Sequence, residues 1–218
     1  MKNALTKMTR GGLLAAVVAG MALLPGAALA KQAGDWLIRA RGIAVVPDES
    51  SKITPIGGKA QVDTAIMPEL DFSYFFTDNI AAELILATTN HDVKAVGTSI
   101  GDVPLGDVWL LPPTLTLQYH FMPKQMVSPY IGAGVNLTLF YSANKGPVVA
   151  DISYDTAVGV ALQAGVDIKV GERTSLNLDL KKIFLNTDVT IDAGALGMVD
   201  AKVDIDPWIF GIGVGMTF

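Results

Sequence analysis

Trp208 to Phe218, the last eleven residues, divide into two unlike faces when read as an extended strand. Trp208, Phe210, Ile212, Val214, Met216 and Phe218 fall on one side, and Ile209, Gly211, Gly213, Gly215 and Thr217 on the other. A tilted strand needs roughly 9–11 residues to cross a bilayer. The first face is apolar with aromatics near both ends, as hydrocarbon and its two interfaces require. The second is small enough to point into a narrow interior. An edge strand of a soluble sandwich accounts poorly for so bare an inner face and so greasy an outer one.

The start of the chain agrees with its end. Lys2, Lys7 and Arg10 precede an apolar run from Leu13 to Leu24, Pro25-Gly26 breaks it, and Ala28-Leu29-Ala30 follows. This is the layout of a signal peptide, with cleavage expected after Ala30. The competing reading, a retained helix, is disfavoured because the apolar run is short for a span. The expected organisation is residues 1–30 as leader and 31–218 as one membrane barrel. Without the leader, 13 basic residues face 21 acidic ones, a net charge of −8. Such acidity argues against a nucleic-acid partner. The chain has no cysteine, which excludes disulfides and thiol chemistry. Half of its residues are apolar, yet no long apolar run occurs after the leader. Alternating strands dilute hydrophobicity in this way.

Eight segments alternate at period two: 35–46, 62–76, 80–89, 114–121, 130–141, 156–170, 175–186 and 201–218. Short connections at 77–79, 122–129 and 171–174 alternate with long ones at 47–61, 90–113, 142–155 and 187–200. An even-stranded barrel with tight periplasmic turns and long outer loops has this asymmetry. The fold class is therefore all-β, an eight-stranded antiparallel transmembrane barrel. Two residues disturb the pattern. Lys182 falls on the lipid face, which calls for either an interfacial position or a bulge. Pro68 lies in mid-strand, where it donates no ladder hydrogen bond; a bulge and a lateral gate are the alternatives there, with the bulge favoured.

An eight-stranded barrel is barely wide enough for its own side chains, so an aqueous pore is not expected. Arg39 and Arg41 on the first strand should lie beside Glu69 and Asp71 on the second, with Glu83 also inward. Such charges are tolerated inside only when paired. This reads as a plug in the periplasmic half, with a proton or ion pathway as the alternative. Higher up, the inward positions become apolar at Ile43, Val45, Ile85, Ala87, Phe140, Ile183 and Leu185, forming a vestibule over the plug. An enzyme is not expected, because a nucleophile, base and orienting group must converge. The two histidines, His91 and His120, should sit at opposite ends, and no G-x-S-x-G, HExxH or P-loop occurs. Asp102, Asp107, Asp151, Asp155, Asp188, Asp192 and Asp200 lack EF-hand spacing and read as solvated loop carboxylates, with Ca²⁺ or Mg²⁺ binding, alone or bridging lipopolysaccharide, as the alternative. No catalytic residue, metal site or cofactor is expected.

Several runs resemble the OmpW family: Gly34-Asp35-Trp36-Leu37-Ile38-Arg39-Ala40, Phe76-Thr77-Asp78-Asn79-Ile80-Ala81-Ala82-Glu83-Leu84, Leu111-Pro112-Pro113-Thr114-Leu115, Gln118-Tyr119-His120-Phe121, Pro129-Tyr130-Ile131-Gly132-Ala133-Gly134-Val135-Asn136 and Asp206-Pro207-Trp208. Terminal Phe218 likewise resembles the C-terminal assembly signal of outer-membrane barrels, which implies the barrel-assembly machinery as a partner. The resemblance implies a Gram-negative outer membrane, contact with its lipid and lipopolysaccharide, and a hydrophobic passage that admits small apolar solutes and releases them sideways. It places a constricting apolar residue at Ile85. Opposite stands Lys181, where an aromatic would complete the constriction, and pairing of Lys181 with Glu83 is the expected substitute. A barrel that only binds at the surface or stabilises the envelope, transporting nothing, is the alternative function.

Overall fold

The computed structural model describes residues 31–147, 149–194 and 197–218. The leader and its cleavage point lie outside these residues. Fifteen strands are formed: β1 (Trp36–Val46), β2 (Ser50–Thr54), β3 (Lys59–Val62), β4 (Ala65–Phe75), β5 (Ile80–Ala87), β6 (Thr89–Thr98), β7 (Gly101–Leu111), β8 (Thr114–His120), β9 (Val127–Lys145), β10 (Asp151–Tyr154), β11 (Ala157–Lys169), β12 (Thr174–Phe184), β13 (Asn186–Asp192), β14 (Met198–Asp204) and β15 (Trp208–Thr217).

Eight of them close a barrel in the order β1-β4-β5-β8-β9-β11-β12-β15, with β15 returning to β1. Every neighbour is antiparallel and next in the barrel's own sequence, so the wall is a simple meander. The periplasmic turns are tight. Thr77 Oγ1 accepts from the Asn79 and Ile80 amides at 3.2 and 2.9 Å, an ST-turn that reverses the chain between β4 and β5. Val170 and Thr174 close the β11–β12 turn through a backbone bond of 3.0 Å.

Burial follows the expected parity. Arg39, Arg41, Ile43 and Val45 are buried, whereas Leu115, Leu117, Val135, Val158, Val160, Phe210 and Ile212 are exposed on the outside. Aromatics form two girdles. Trp36, Tyr74, Phe76, Tyr119 and Phe121 ring the lower end, with Trp36–Tyr74 and Tyr119–Phe121 centroids both 5.1 Å apart. Tyr141, Phe184 and Trp208 ring the upper end. Met216 departs from parity: assigned to the lipid face, it is only 2% exposed, being covered between Ile38 of β1 and Thr174 of β12.

The segments expected as long outer loops are largely strands. β10-β13-β14-β2 form a four-stranded sheet, and β3-β6-β7 extend upward from β9 as a second sheet. Ile53, Ala60, Val93, Ala95, Leu105, Val108, Ile191 and Val203 are among the buried apolar residues gathered between them. Their outer faces carry Lys52, Lys94, Asp200 and Lys202, because these strands stand in water rather than lipid. The alternation is thus polar against apolar and lacks the greasy outer face used to find the spans. For the same reason the second, third and eighth expected segments each run past the end of a barrel strand into an outer one. β3 separates from β4 at Asp63-Thr64, β5 ends at Ala87, and β14 separates from β15 at Ile205-Asp206-Pro207. Asp206 there takes a positive φ of 36°, which an Asp tolerates better than most residues.

Lys182 needs no bulge. The β12 register runs unshifted from Ser175 to Lys182 against both β11 and β15. Its ammonium reaches the upper rim, 3.0 Å from Asp48 Oδ2 and 2.6 Å from the Asp206 carbonyl, and lies 4.8 Å from the Trp208 ring centroid. A cation on the lipid face is thus placed at the interface, where charge is least costly.

Candidate vestibule and its ion-paired floor

β1 supplies both arginines to the barrel axis, and β15 makes room for them. A Cβ at Gly213 would lie 2.1 Å from the Ala40 carbonyl oxygen, and one at Gly215 would lie 3.1 Å from Arg39 Cγ. The bare inner face of the C-terminal strand therefore accommodates the guanidinium stems.

The floor is a single network. Arg39 donates from Nη1 to Asp71, Ser73 and Glu83, each at 3.0 Å, and grips Asp167 with Nε and Nη2 at 3.1 and 2.9 Å. Arg41 lies 2.7 Å from both Glu69 and Asp71, 3.1 Å from Glu83 and 3.3 Å from Asp179. Glu83 Oε2 also accepts from Gln118 and Gln163, each at 2.8 Å. Tyr130 donates to Asp179 at 2.6 Å and carries the Arg39 guanidinium over its ring at 5.2 Å. Arg39, Asp71 and Glu83 are fully buried. Burial of this many charges is sustained because each has several opposite or hydrogen-bonding neighbours.

The sequence-derived charge set thus comes together, with one correction. Lys181 does not pair with Glu83; its ammonium lies 3.0 Å from Glu69 and 2.6 Å from Asp179. Glu83 is already occupied by both arginines and by Gln118 and Gln163, whereas Asp179 sits two residues from Lys181 on the same face of β12. Asp179 and Asn177 were absent from the expected plug, although inward parity on β12 marks both. Lys31 was also missed. It precedes β1, so no strand pattern points to it, yet its ammonium enters the lumen 2.5 Å from Asp167 and 3.2 Å from His120 Nδ1. Burial holds the Lys31 ammonium below the ordinary lysine range, at about 8, while Asp167 draws it upward.

Above Glu69 and Lys181 the interior changes character. Ile43, Val45, Ala87, Ile183, Leu185 and Ile209 form one buried cluster, with Phe140 packed against it. Ile85 is also buried and joins the same wall. The cavity they bound has a volume of about 90 Å³ and opens to the outside. His91 and His120 do lie far apart, one in this cavity wall and the other at the periplasmic end. Among the described residues no group of three or more His, Asp or Glu side chains is placed to hold a metal ion.

The wall is incomplete at one place. β4 pairs with β1 continuously from Ala65 to Tyr74, passing Pro68 opposite Gly42 with no register shift. Pro68 therefore makes no bulge there, contrary to the favoured expectation. On the other side, pairing of β4 with β5 begins only at Glu69–Ala87. Ala65–Pro68 thus face Thr88 and its neighbours without a ladder, a gap in the pairing roughly 13 Å long at 3.3 Å per residue. It is closed above by Asp63, whose amide donates to the Asp92 carbonyl at 3.2 Å and whose carboxylate accepts from the Asp92 amide at 2.7 Å.

The chain as a whole is similar to known proteins. The crystal structure of the outer membrane protein OprG from Pseudomonas aeruginosa superposes with a TM-score of 0.80 at 32% identity, over 86% of this chain and 97% of that one. The uncharacterized outer-membrane protein y4mB of Sinorhizobium fredii is 48% identical over 84% of this chain and 80% of its own length. A protein of Pseudomonas aeruginosa named dibenzothiophene metabolism operon protein PahQ is 32% identical over 84% of this chain and 88% of its own. The model of the OmpW family matches residues 32–218, and the chain belongs to that family of outer-membrane barrels.

Proposed function

We propose that this barrel admits small hydrophobic molecules from outside into the apolar vestibule and releases them sideways into the bilayer. The observation that carries this reading is the apolar lining from Ile43 to Leu185 standing directly on an ion-paired floor. A greasy solute gains by entering such a space. It loses by crossing the floor, where it would have to displace buried ion pairs. The unladdered stretch Ala65–Pro68 gives the least obstructed way out, since no hydrogen bonds to β5 need break there. A relative named for a dibenzothiophene metabolism operon fits a cargo of this apolar kind.

Ile85→Asp places a carboxylate in the vestibule wall. It is expected to weaken binding of a long-chain amphiphile by about tenfold or more, because the charge resists desolvation. Titration of purified protein in lipid nanodiscs measures this, and undiminished affinity would remove the vestibule as the binding site. Flux of an apolar fluorescent probe into liposomes is expected to exceed that into protein-free vesicles. Equal rates would leave a surface-docking or envelope-stabilising barrel as the better reading.

A further inference from the structure

The vestibule is not uniformly apolar, and its polar groups are of two kinds. Thr114, Thr138 and Thr187 line it but spend their hydroxyls internally, on the Pro112 carbonyl, Asn136 Oδ1 and the Asp155 carbonyl at 3.1, 2.7 and 2.8 Å. Thr89, His91 and Tyr154 also line it. The Thr89 and Tyr154 hydroxyls have no hydrogen-bond partner among the described residues. His91, only 5% exposed, has one: its Nδ1 lies 2.8 Å from the Asp63 carbonyl oxygen. A carbonyl can only accept, so Nδ1 carries a proton; the Asp63 carboxylate also lies 3.8 Å from it, and in the Nδ1–H tautomer Nε2 is an acceptor without a partner among the described residues.

Thr89 and Tyr154 are linked through neighbouring strands, and His91 stands one step higher. Thr89 pairs with Leu110 across β6–β7, Leu110 pairs with Phe140 across β7–β9, and Phe140 stacks on Tyr154 with centroids 5.2 Å apart. His91 is the next inward residue above Thr89 on β6, opposite Val108. Burial pushes the Tyr154 hydroxyl above its ordinary range, so it stays protonated and able to donate. Apolar walls with a few placed polar groups are the usual construction of a small-molecule site, the polar groups fixing orientation.

We infer that His91, Thr89 and Tyr154 form a polar subsite that selects apolar molecules bearing one neutral oxygen group, an alcohol or phenol above a plain hydrocarbon. Nε2 of His91 accepts the ligand O–H, and the Tyr154 or Thr89 hydroxyl donates to the ligand oxygen. The alkyl or aryl body then lies below, against Ile43, Ile85 and Ile183. This assignment rests on the vestibule reading above and specifies its ligand.

The test uses the full barrel in nanodiscs, with a fluorescent amphiphile displaced by 1-dodecanol or by dodecane and partition into empty nanodiscs subtracted. The wild-type protein is expected to favour dodecanol by about two- to tenfold, the yield of one or two net hydrogen bonds. His91→Leu and Tyr154→Phe should each reduce that ratio, through weaker displacement by dodecanol. His91→Gln, which retains an acceptor, should preserve more of it than His91→Leu. Equal displacement by the two probes in the wild type would overturn the subsite alone. So would a preference surviving in the His91→Leu/Tyr154→Phe double variant. Failure of both probes to displace would overturn the subsite together with the vestibule reading.

Discussion

Glu83 illustrates how much a single inward position controls. One carboxylate oxygen lies between Arg39 and Arg41, and the other accepts from Gln118 and Gln163. Glu83→Ala leaves two guanidinium groups short of a partner in a water-poor lumen and is expected to destabilise the barrel by about 3–5 kcal/mol. Glu83→Gln, which keeps shape and an acceptor oxygen, should cost less. Urea unfolding in lipid vesicles measures both, and a loss under 1 kcal/mol for the alanine variant would contradict the hub role. Parity in the sequence exposed Glu83 because its neighbours Ala82 and Leu84 face lipid. Parity could not reveal Lys31, which enters the lumen from outside any strand. Nor could it assign partners: the choice of Glu69 and Asp179 by Lys181 depends on strand stagger around the barrel.

At the level of single strands, β15 is shaped by what crosses it. Gly213 lies against the β1 backbone and the Arg41 stem, and its substitution by Val would push a branched side chain into both. Gly213→Val is expected to cost about 3 kcal/mol, at the upper end of overpacking penalties, and to lower the yield of folded barrel. Resistance to unfolding in sodium dodecyl sulfate gels reads this directly, and wild-type behaviour would mean the strand can shift to absorb the volume. The small inner face was legible from the sequence as a narrow interior. That it specifically seats Arg39 and Arg41 was not, because cross-strand register decides it. β4 gives the complementary case. Pro68 was visible as a weak point, but whether the weakness lay toward β1 or toward β5 depended on where pairing stops, and that is set by tertiary contacts of β3 and β6.

Over the whole molecule, two halves meet different solvents. The lower half holds the girdles, lipid face and floor; the upper half is two sheets in water around an apolar interior. Replacing residues 89–111 by a short turn is expected to leave a folded eight-stranded barrel, since none of the floor residues lies there, while amphiphile binding falls below detection. Circular dichroism with nanodisc titration checks this; retained binding would confine the site to the membrane-embedded part. The eight spans could be read because lipid imposes a greasy outer face on each. The outer strands escaped because water imposes no such mark, and their alternation resembles that of an ordinary surface segment.

The interlocked salt bridges at the bottom of the lumen have a physiological corollary. On the proposed function, sucrose, ions and hydrophilic antibiotics are expected to be stopped there, whatever occupies the upper chamber. A cell would then display this protein at high copy number without making its envelope leaky, abundance and permeability to water-soluble compounds being uncoupled.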